Sequence, residues 1–581
     1  MLWEIRDFKG IESAQLDIRP GKATILTGIN SSGKSSTIQS LLLVAQSLYN
    51  EGPVVLNGPL VRLGDAEDLV REGSSTGDIR IRLGIDPERP DGSKSEVDLT
   101  AEYELVATDD RSSLRARRLT FTSSRSPLLP LELAWENSRK ADRELAMHAT
   151  RHLGNRSVLH LKSMLGSDGR QLRTYAVLQG LRPVGIVELL DPKRIARLYS
   201  RAFRSLVADA QDDEESAKRR GMTRKAITPS IVREFILLIE NGAAEETELE
   251  PIVQAFSQVR GGNPYAFELG WRSLSQGDRD RAIERAAEQR ALRSFAYLPL
   301  NGTPWRYSVM GGGLLESLLE SGLGKTFDAL GALSASLDEL ARRVQYLGPL
   351  RDEPRVVWNH WNELARGLPV GTRGEFSAAV LSQAATRAVH YRTPKGAPVV
   401  DRLSTAVNQW LEHLEIGDSV TARARGKLGV GFDLKMDGKI RDLTSVGVGV
   451  SQTLPLLVGL LSAPHDSVFI VEQPELHLHP AVQARLADFM LSARPDVALV
   501  IETHSEAFIT RIRRRAAEDS IDVEDVDITF VEPSRGGSRT RKLVLSEFGD
   551  LNDWPDGFLS SSEDDVRAIL QMNVKRARGT N

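Results

Sequence analysis

Residues 28–36, Gly28-Ile29-Asn30-Ser31-Ser32-Gly33-Lys34-Ser35-Ser36, follow the apolar run ATILT and precede the apolar-faced stretch Ser35 to Tyr49. The first flank reads as a buried strand and the second as a helix, so the nine residues sit on a strand–loop–helix turn. Gly28 and Gly33 enclose four residues and lead into Lys34 and Ser35, which is the phosphate-loop pattern in full. In such a loop the glycines let backbone N–H groups turn inward around a phosphate, the lysine reaches the outer phosphate oxygens, and the hydroxyl is a magnesium ligand. The stretch therefore predicts binding of ATP and Mg2+ by Gly28, Asn30, Ser31, Ser32, Gly33, Lys34, Ser35 and Ser36, with Ser35 on the metal.

Outward from this loop, the first 26 residues read as a short strand, a turn at Gly10, an alternating strand over Ser13 to Ile18 and a turn at Pro20-Gly21. Strand-like segments follow around Pro53 to Leu63, Asp78 to Ile85, Glu96 to Ala107 and Ala116 to Thr122, and predict an antiparallel subsheet. Helical periodicity then takes over, with candidates at Pro192 to Ala217, Pro229 to Glu240, Ser275 to Arg293 and Leu314 to Tyr346. It shows no sustained heptads, which argues against a long coiled-coil arm. Strands return at Thr421 to Met436, where Met436-Asp437-Gly438-Lys439 signals a hairpin. The expected organisation is an N-terminal lobe (1–139), a mostly helical insertion (140–345), a second lobe (346–515) and a C-terminal α/β extension (516–581).

The bulk composition narrows the class. The chain has 581 residues, 41% of them apolar, a formal charge of −4 and no cysteine. Several packed units are expected, without disulfides, thiolate metal sites or a cysteine nucleophile. The pI near 6.3 removes the overall positive field of a dedicated nucleic-acid coat. Charges in MLWEIRDFKG stand where a signal peptide needs an apolar run, and no stretch approaches a membrane span; a cytoplasmic protein without a membrane partner is expected.

Three later segments carry chemistry. In DSVFIVEQPELHLHP (Asp466 to Pro480) an apolar strand ends in Glu472, as suits an acid that holds magnesium at the tip of a core strand. In VALVIETHS (Val497 to Ser505) the next strand is expected to end in His504, placed to sense a γ-phosphate. TSVGVGVSQ (Thr444 to Gln452) puts glycines, Ser451 and Gln452 at a helix start, where exposed N–H groups and the helix dipole favour anions.

In this order the motifs resemble cassette (ABC-type) ATPases of the structural-maintenance, RecF and overcoming-lysogenization kind. More narrowly, NSSGKSS, LNGPLVRLG, YLGPLR, VGVGVSQ, EQPELHLHP, IETHSE and DWPDGFL are similar to a prokaryotic group of AAA-labelled ATPases with a short C-terminal domain of unknown function, and to Septu-type antiphage ATPases (PtuA). The resemblance implies an α/β fold: an ABC-type phosphate-loop NTPase with an antiparallel subsheet. It implies that Lys34 and Ser35 bind phosphate and magnesium, with Glu472 as the magnesium-linked acid. Gly447, Gly449 and Ser451 would contact the γ-phosphate of a second subunit, with Gln452 beside them, and His504 would be the switch. A homodimer or larger even-numbered assembly, a separate nuclease or toxin as effector, and a role in antiphage defence follow as expectations. Gln473 departs from the family pattern, since a glutamine at the usual catalytic glutamate position can orient water but cannot take its proton. Glu475 is the candidate substitute, and slow hydrolysis is expected.

Other readings are weaker. Glu475, His477, His479 and His504 include zinc-ligand types, but at no catalytic zinc spacing. A Toprim-like nuclease would need more chain than follows His504 and a later acid pair on a strand, and Glu563-Asp564-Asp565 fits a helix first turn better. An ABC transporter subunit would be shorter, while a DNA-repair ATPase or a nucleotide-dependent scaffold shares the same engine. Gln179 is a candidate for the Q-loop glutamine and Arg351 for a nucleotide or partner contact. Nucleic-acid candidates are Lys218-Arg219-Arg220 with Arg224 and Lys225, the run Arg511, Arg513, Arg514, Arg515, and Lys575, Arg576 and Arg578.

Overall fold

A computed structural model describes residues 1–49, 54–85, 99–108, 113–123, 131–134, 139–150, 156–161, 173–189, 264–292, 295–300, 323–358, 370–552 and 568–574, with isolated positions between 196 and 256. Two compact units result: one comprises 1–132, 179–182 and 332–581, the other 133–178 and 183–331.

The first unit opens with β1 (Leu2–Phe8) and β2 (Ile11–Asp17), an antiparallel pair joined by a tight turn in which Lys9 is left-handed. Next come β3 (Ala23–Gly28), five of whose six residues are buried, and α1 (Lys34–Tyr49). β4 (Ile79–Ile85), β5 (Leu99–Ala107) and β6 (Leu114–Ser123) extend the sheet antiparallel from β1, as the alternating pattern requires.

The stretch 54–63 differs from expectation. It forms no named strand, because side chains take over the pairing. Asn57 Oδ1 accepts the N–H groups of Leu63 and Gly64, while Gln46 of α1 accepts from Val61 and donates to the Val55 carbonyl.

In the second unit, β7 (Leu131–Ala134), α2 (Lys140–Ala149), β8 (Ser157–Leu161), β9 (Arg173–Gln179) and β10 (Arg182–Leu189) precede α3 (Pro264–Ser273), α4 (Gln276–Leu292) and β11 (Phe295–Pro299). The helical reading of 140–345 thus missed strands: β8 and β9 pair antiparallel, as do β10 and β11. Their buried faces pack Val158, Tyr175, Val177 and Val187 against Ala146. The helices expected at Ser275 to Arg293 and Leu314 to Tyr346 correspond to α4 and to α5 (Leu323–Arg343). Most of Pro192 to Ala217 and Pro229 to Glu240 lies outside the described residues, as do Lys218 to Lys225, 553–567 and 575–581.

The rest of the first unit supplies β12 (Val344–Leu347), α6 (Ser377–Ala384), the pair β13 (Ala388–Arg392) and β14 (Pro398–Arg402), and α7 (Leu403–His413). A small antiparallel sheet follows, made of β15 (Ser419–Ala424), β16 (Val430–Met436) and β17 (Lys439–Asp442). Its hairpin turn holds Asp437 and Gly438 at φ 49° and 73°, which an Asp-Gly pair accommodates. Last come α8 (Val448–Ser462), β18 (Val468–Glu472), α9 (Pro480–Ser492), β19 (Ala498–Glu502), α10 (Glu506–Ala517), β20 (Val526–Ser534) and β21 (Gly537–Leu543).

These late strands build the centre of the sheet. β20, β3, β19, β18 and β12 lie side by side in that order and all run parallel. A strand from the chain's last fifth therefore flanks the phosphate-loop strand, and the boundary expected at 516 is not a unit boundary. β21 folds back on β20 and pairs with β2. A parallel sheet of buried strands with helical crossovers gathers its loops at the carboxyl ends, where ligands of such folds bind.

Candidate nucleotide site

The phosphate loop lies at the carboxyl end of β3. Gly28 is held at φ 146°, and a Cβ there would lie 2.4 Å from the Val531 carbonyl oxygen on β20. Ser31 and Gly33 are also left-handed, at φ 60° and 104°. Glycine is thus required at position 28 by the close passage of β20. Ser36 is half-buried on the first turn of α1, and Ile29, Asn30 and Ser31 are exposed. Lys34 folds over the loop, its Nζ donating to the carbonyls of Gly28 at 3.0 Å and Ile29 at 2.6 Å. Burial lowers its pKa, opposed by the charge of Glu502. Ser32 is buried and its Oγ has no hydrogen-bond partner.

Two carboxylates stand beside the loop. β19 lies between β3 and β18, so Glu502 is paired in register with Leu26 on one side and Glu472 on the other. Glu472 and Glu502 are 6% and 2% exposed. The Ser35 hydroxyl lies 3.1 Å from both carboxylate oxygens of Glu502. Glu502 is pushed well above the ordinary carboxylate range, by burial first and then by its neighbour Glu472. The residues fit magnesium, since a hydroxyl and carboxylates are hard oxygen donors. Ser35 and Glu472 would hold the ion as expected, and Glu502 is the group that sequence reading passed over. Its signal was its place two residues before His504, at the tip of the strand that separates the other two motifs.

The turn after β18 is locked from behind. Gln473 is left-handed at φ 44°, and its N–H donates to the Glu502 carbonyl at 2.8 Å. Arg351, 5% exposed, sends Nη1 to the carbonyls of Pro349, Glu472 and Gln473 at 2.9, 2.9 and 3.3 Å. Burial lowers the Arg351 pKa to about 10. It clamps backbone. Glu475 is also buried: its Oε1 accepts the His504 N–H at 2.8 Å, its Oε2 has no partner, and burial raises its pKa. The strand-end histidine is exposed, with a pKa lowered by partial desolvation and by Lys34. Lys34, Ser35, Glu472, Gln473, Glu475 and His504 thus converge, while Gln179 lies at the turn between β9 and β10. Among the described residues no three His, Cys, Asp or Glu side chains form a metal cage, which leaves the zinc reading without support.

The glycine-rich segment behaves less uniformly. Gly447 is the N-cap of α8, with nothing within 4 Å of a Cβ built on it, and Val448 beside it is exposed. Gly449 instead packs on the His477 carbonyl and Leu478. Ser451 is buried, its Oγ donating to the Val448 carbonyl at 2.8 Å, and Gln452 is half-buried. Only the very start of the helix presents an open face.

The arginine run is structural in large part. Arg511 and Arg515 both pair with Asp488 of α9, Arg514 pairs with Glu518, and Arg513 Nε donates to the Gly549 carbonyl at 2.9 Å.

A phosphate loop on β3, one strand between it and the acid-tipped strand, and the carboxylate of that intervening strand on Ser35 decide the class. The chain has the α/β fold of a phosphate-loop NTPase. Residues 329–510, under a third of the chain, match the family model described as "AAA domain, putative AbiEii toxin, Type IV TA system". Solved structures similar to the chain include an Smc head domain of Pyrococcus furiosus bound to the C-terminal domain of ScpA (12% identity, TM-score 0.30, covering 94% of this chain and 96% of that one) and an SMC head domain of Thermotoga maritima (9%, 0.31, 93% and 97%). The assignment of this phosphate-loop core rests on strand order and loop geometry, since those superpositions score below 0.5. No curated protein matches the chain. Among its described residues, no helix is long and apolar enough to cross a membrane.

Proposed function

We propose that this chain binds ATP with Mg2+, closes with a second copy over the nucleotide, hydrolyses it slowly, and uses that closure to control a separate effector, a nuclease or toxin, in antiphage defence. The observation that carries the reading is the convergence of Lys34, Ser35, Glu472 and Glu502 at the carboxyl ends of β3, β18 and β19. Closure by a second copy is supported by the open N-terminus of α8 at Gly447 and Val448, an anion-favouring helix start. Slow turnover is supported by Gln473, whose amide orients water but takes no proton. The defence role is supported by the toxin description of the family matched at 329–510.

The test is sedimentation and phosphate release with and without ATP. An ATP-dependent even-numbered assembly, abolished by Lys34→Ala, is expected. The same assembly in Lys34→Ala would remove the composite site.

A further inference from the structure

Glu502 lies outside the roles assigned to the phosphate loop, the acid-tipped strand and the histidine, yet it occupies the strand tip between them. We infer that Glu502 is a metal-side residue: together with Glu472 and Ser35 it forms a two-carboxylate seat for the divalent cation carried by ATP. The inference rests on the ATP reading above and adds a ligand to it.

Placement comes from topology. β19 is the strand between β3 and β18, so the register that sets Glu502 beside Leu26 also sets it beside Glu472. The Ser35 hydroxyl has both Glu502 oxygens at 3.1 Å. On cation binding its proton stays on that carboxylate side while an oxygen lone pair serves the ion. The proton that Glu502 holds in the nucleotide-free protein leaves to solvent as the ion binds.

Charge points the same way. Glu502 and Glu472 meet as a buried hydrogen-bonded pair, so charging both costs repulsion and lost hydration, and a divalent ion offsets both costs. Lys34, whose charge acts on Glu502, is engaged with loop carbonyls. Oxygen-only donors suit Mg2+ or Mn2+ over zinc or copper. Because no complete cage exists among the described residues, phosphate oxygens would fill the remaining positions, which makes the ion nucleotide-dependent. Separately, Ser32 Oγ is buried with no partner among the described residues, 3.1 Å from where a Gly28 Cβ would sit, which places an unsatisfied polar atom inside the loop. If Glu502 only braced Ser35, its replacement by an amide would leave cation affinity intact.

The full-length chain separates these. ATP binding is followed by calorimetry in EDTA, and Mn2+ binding to the ATP-loaded protein by electron paramagnetic resonance. For Glu502→Gln we expect ATP affinity in EDTA equal to or tighter than the parent's, with Mn2+ affinity reduced about tenfold or more, the scale of lost ligand-shell groups. Mn2+ affinity within about twofold of the parent's would overturn the inference, given that scale. If that variant does not fold, Glu502→Asp keeps the charge but shortens the reach; reduced Mn2+ affinity supports the seat and unchanged affinity overturns it. Failure of the parent to bind ATP in either condition would instead sink the nucleotide reading itself.

Discussion

The hydroxyl of Tyr346, on β12, donates to Oε1 of Glu472, on the neighbouring parallel strand, at 2.6 Å. Both side chains are largely buried, and the Tyr346 pKa is raised by burial and by the adjacent carboxylate. YLGPLR thereby holds the tip of β18 through two contacts, Tyr346 on the Glu472 carboxylate and Arg351 on the carbonyl of the same residue. Neither residue needs to touch nucleotide.

Tyr346→Phe removes one charge-assisted donor while keeping the ring. A loss of about 1–3 kcal/mol in folding stability is expected, because a buried carboxylate oxygen loses its partner. Chemical denaturation measures it, and a loss below a few tenths of that scale would mean that water replaces the hydroxyl.

Arg351→Lys should also destabilise, since the shorter, flexible lysine stem must bring its ammonium to the place where Nη1 alone meets three carbonyls. A cost of about 1–3 kcal/mol is expected from the orphaned acceptors. Looser holding of the Glu472–Gln473 turn should raise its amide hydrogen exchange, and unchanged exchange would show that Arg351 is dispensable to the turn.

Folding stability of the nucleotide-free protein should fall with rising pH through the Glu502 window. Its folded pKa is raised, so the folded state holds more protons than the unfolded one, and stability is lost from the ordinary glutamate range of about 4.3 up to about 8. Glu502→Gln should flatten that decline. Denaturation midpoints between about pH 5 and about pH 9 check it, and parallel slopes for the two proteins would contradict the assignment.

Asp488→Asn should cost about 1–3 kcal/mol, since Arg511 and Arg515 of α10 both rely on that largely buried carboxylate of α9. Solvent screening of the half-exposed Arg515 keeps the estimate at the lower end. A thermal melt that does not move would return these arginines to the pool of free surface charge.

The phosphate loop was legible because its chemistry is local: G-x4-G-K-S needs only a strand before it and a helix after it. Glu472 stood out for the same reason, at the end of an unbroken apolar run, and His504 two residues past the end of the next strand. The hairpin at Asp437-Gly438 was legible too, since left-handed turns select those residues. What the sequence hid were relations set by strand order. VIE reads as the end of any buried strand until β19 is seen between β3 and β18, and only that position makes Glu502 a neighbour of both Ser35 and Glu472. The VDITFVEPS segment likewise looked like the start of a C-terminal extension, and parallel pairing with β3 made it part of the core, where Val531 dictates the glycine at position 28. Sequence alone determined that a phosphate loop exists and what surrounds it along the chain. Tertiary structure decided which carboxylates face it, because parallel strands adjacent in space are joined through long crossovers and leave no short-range trace of their neighbours.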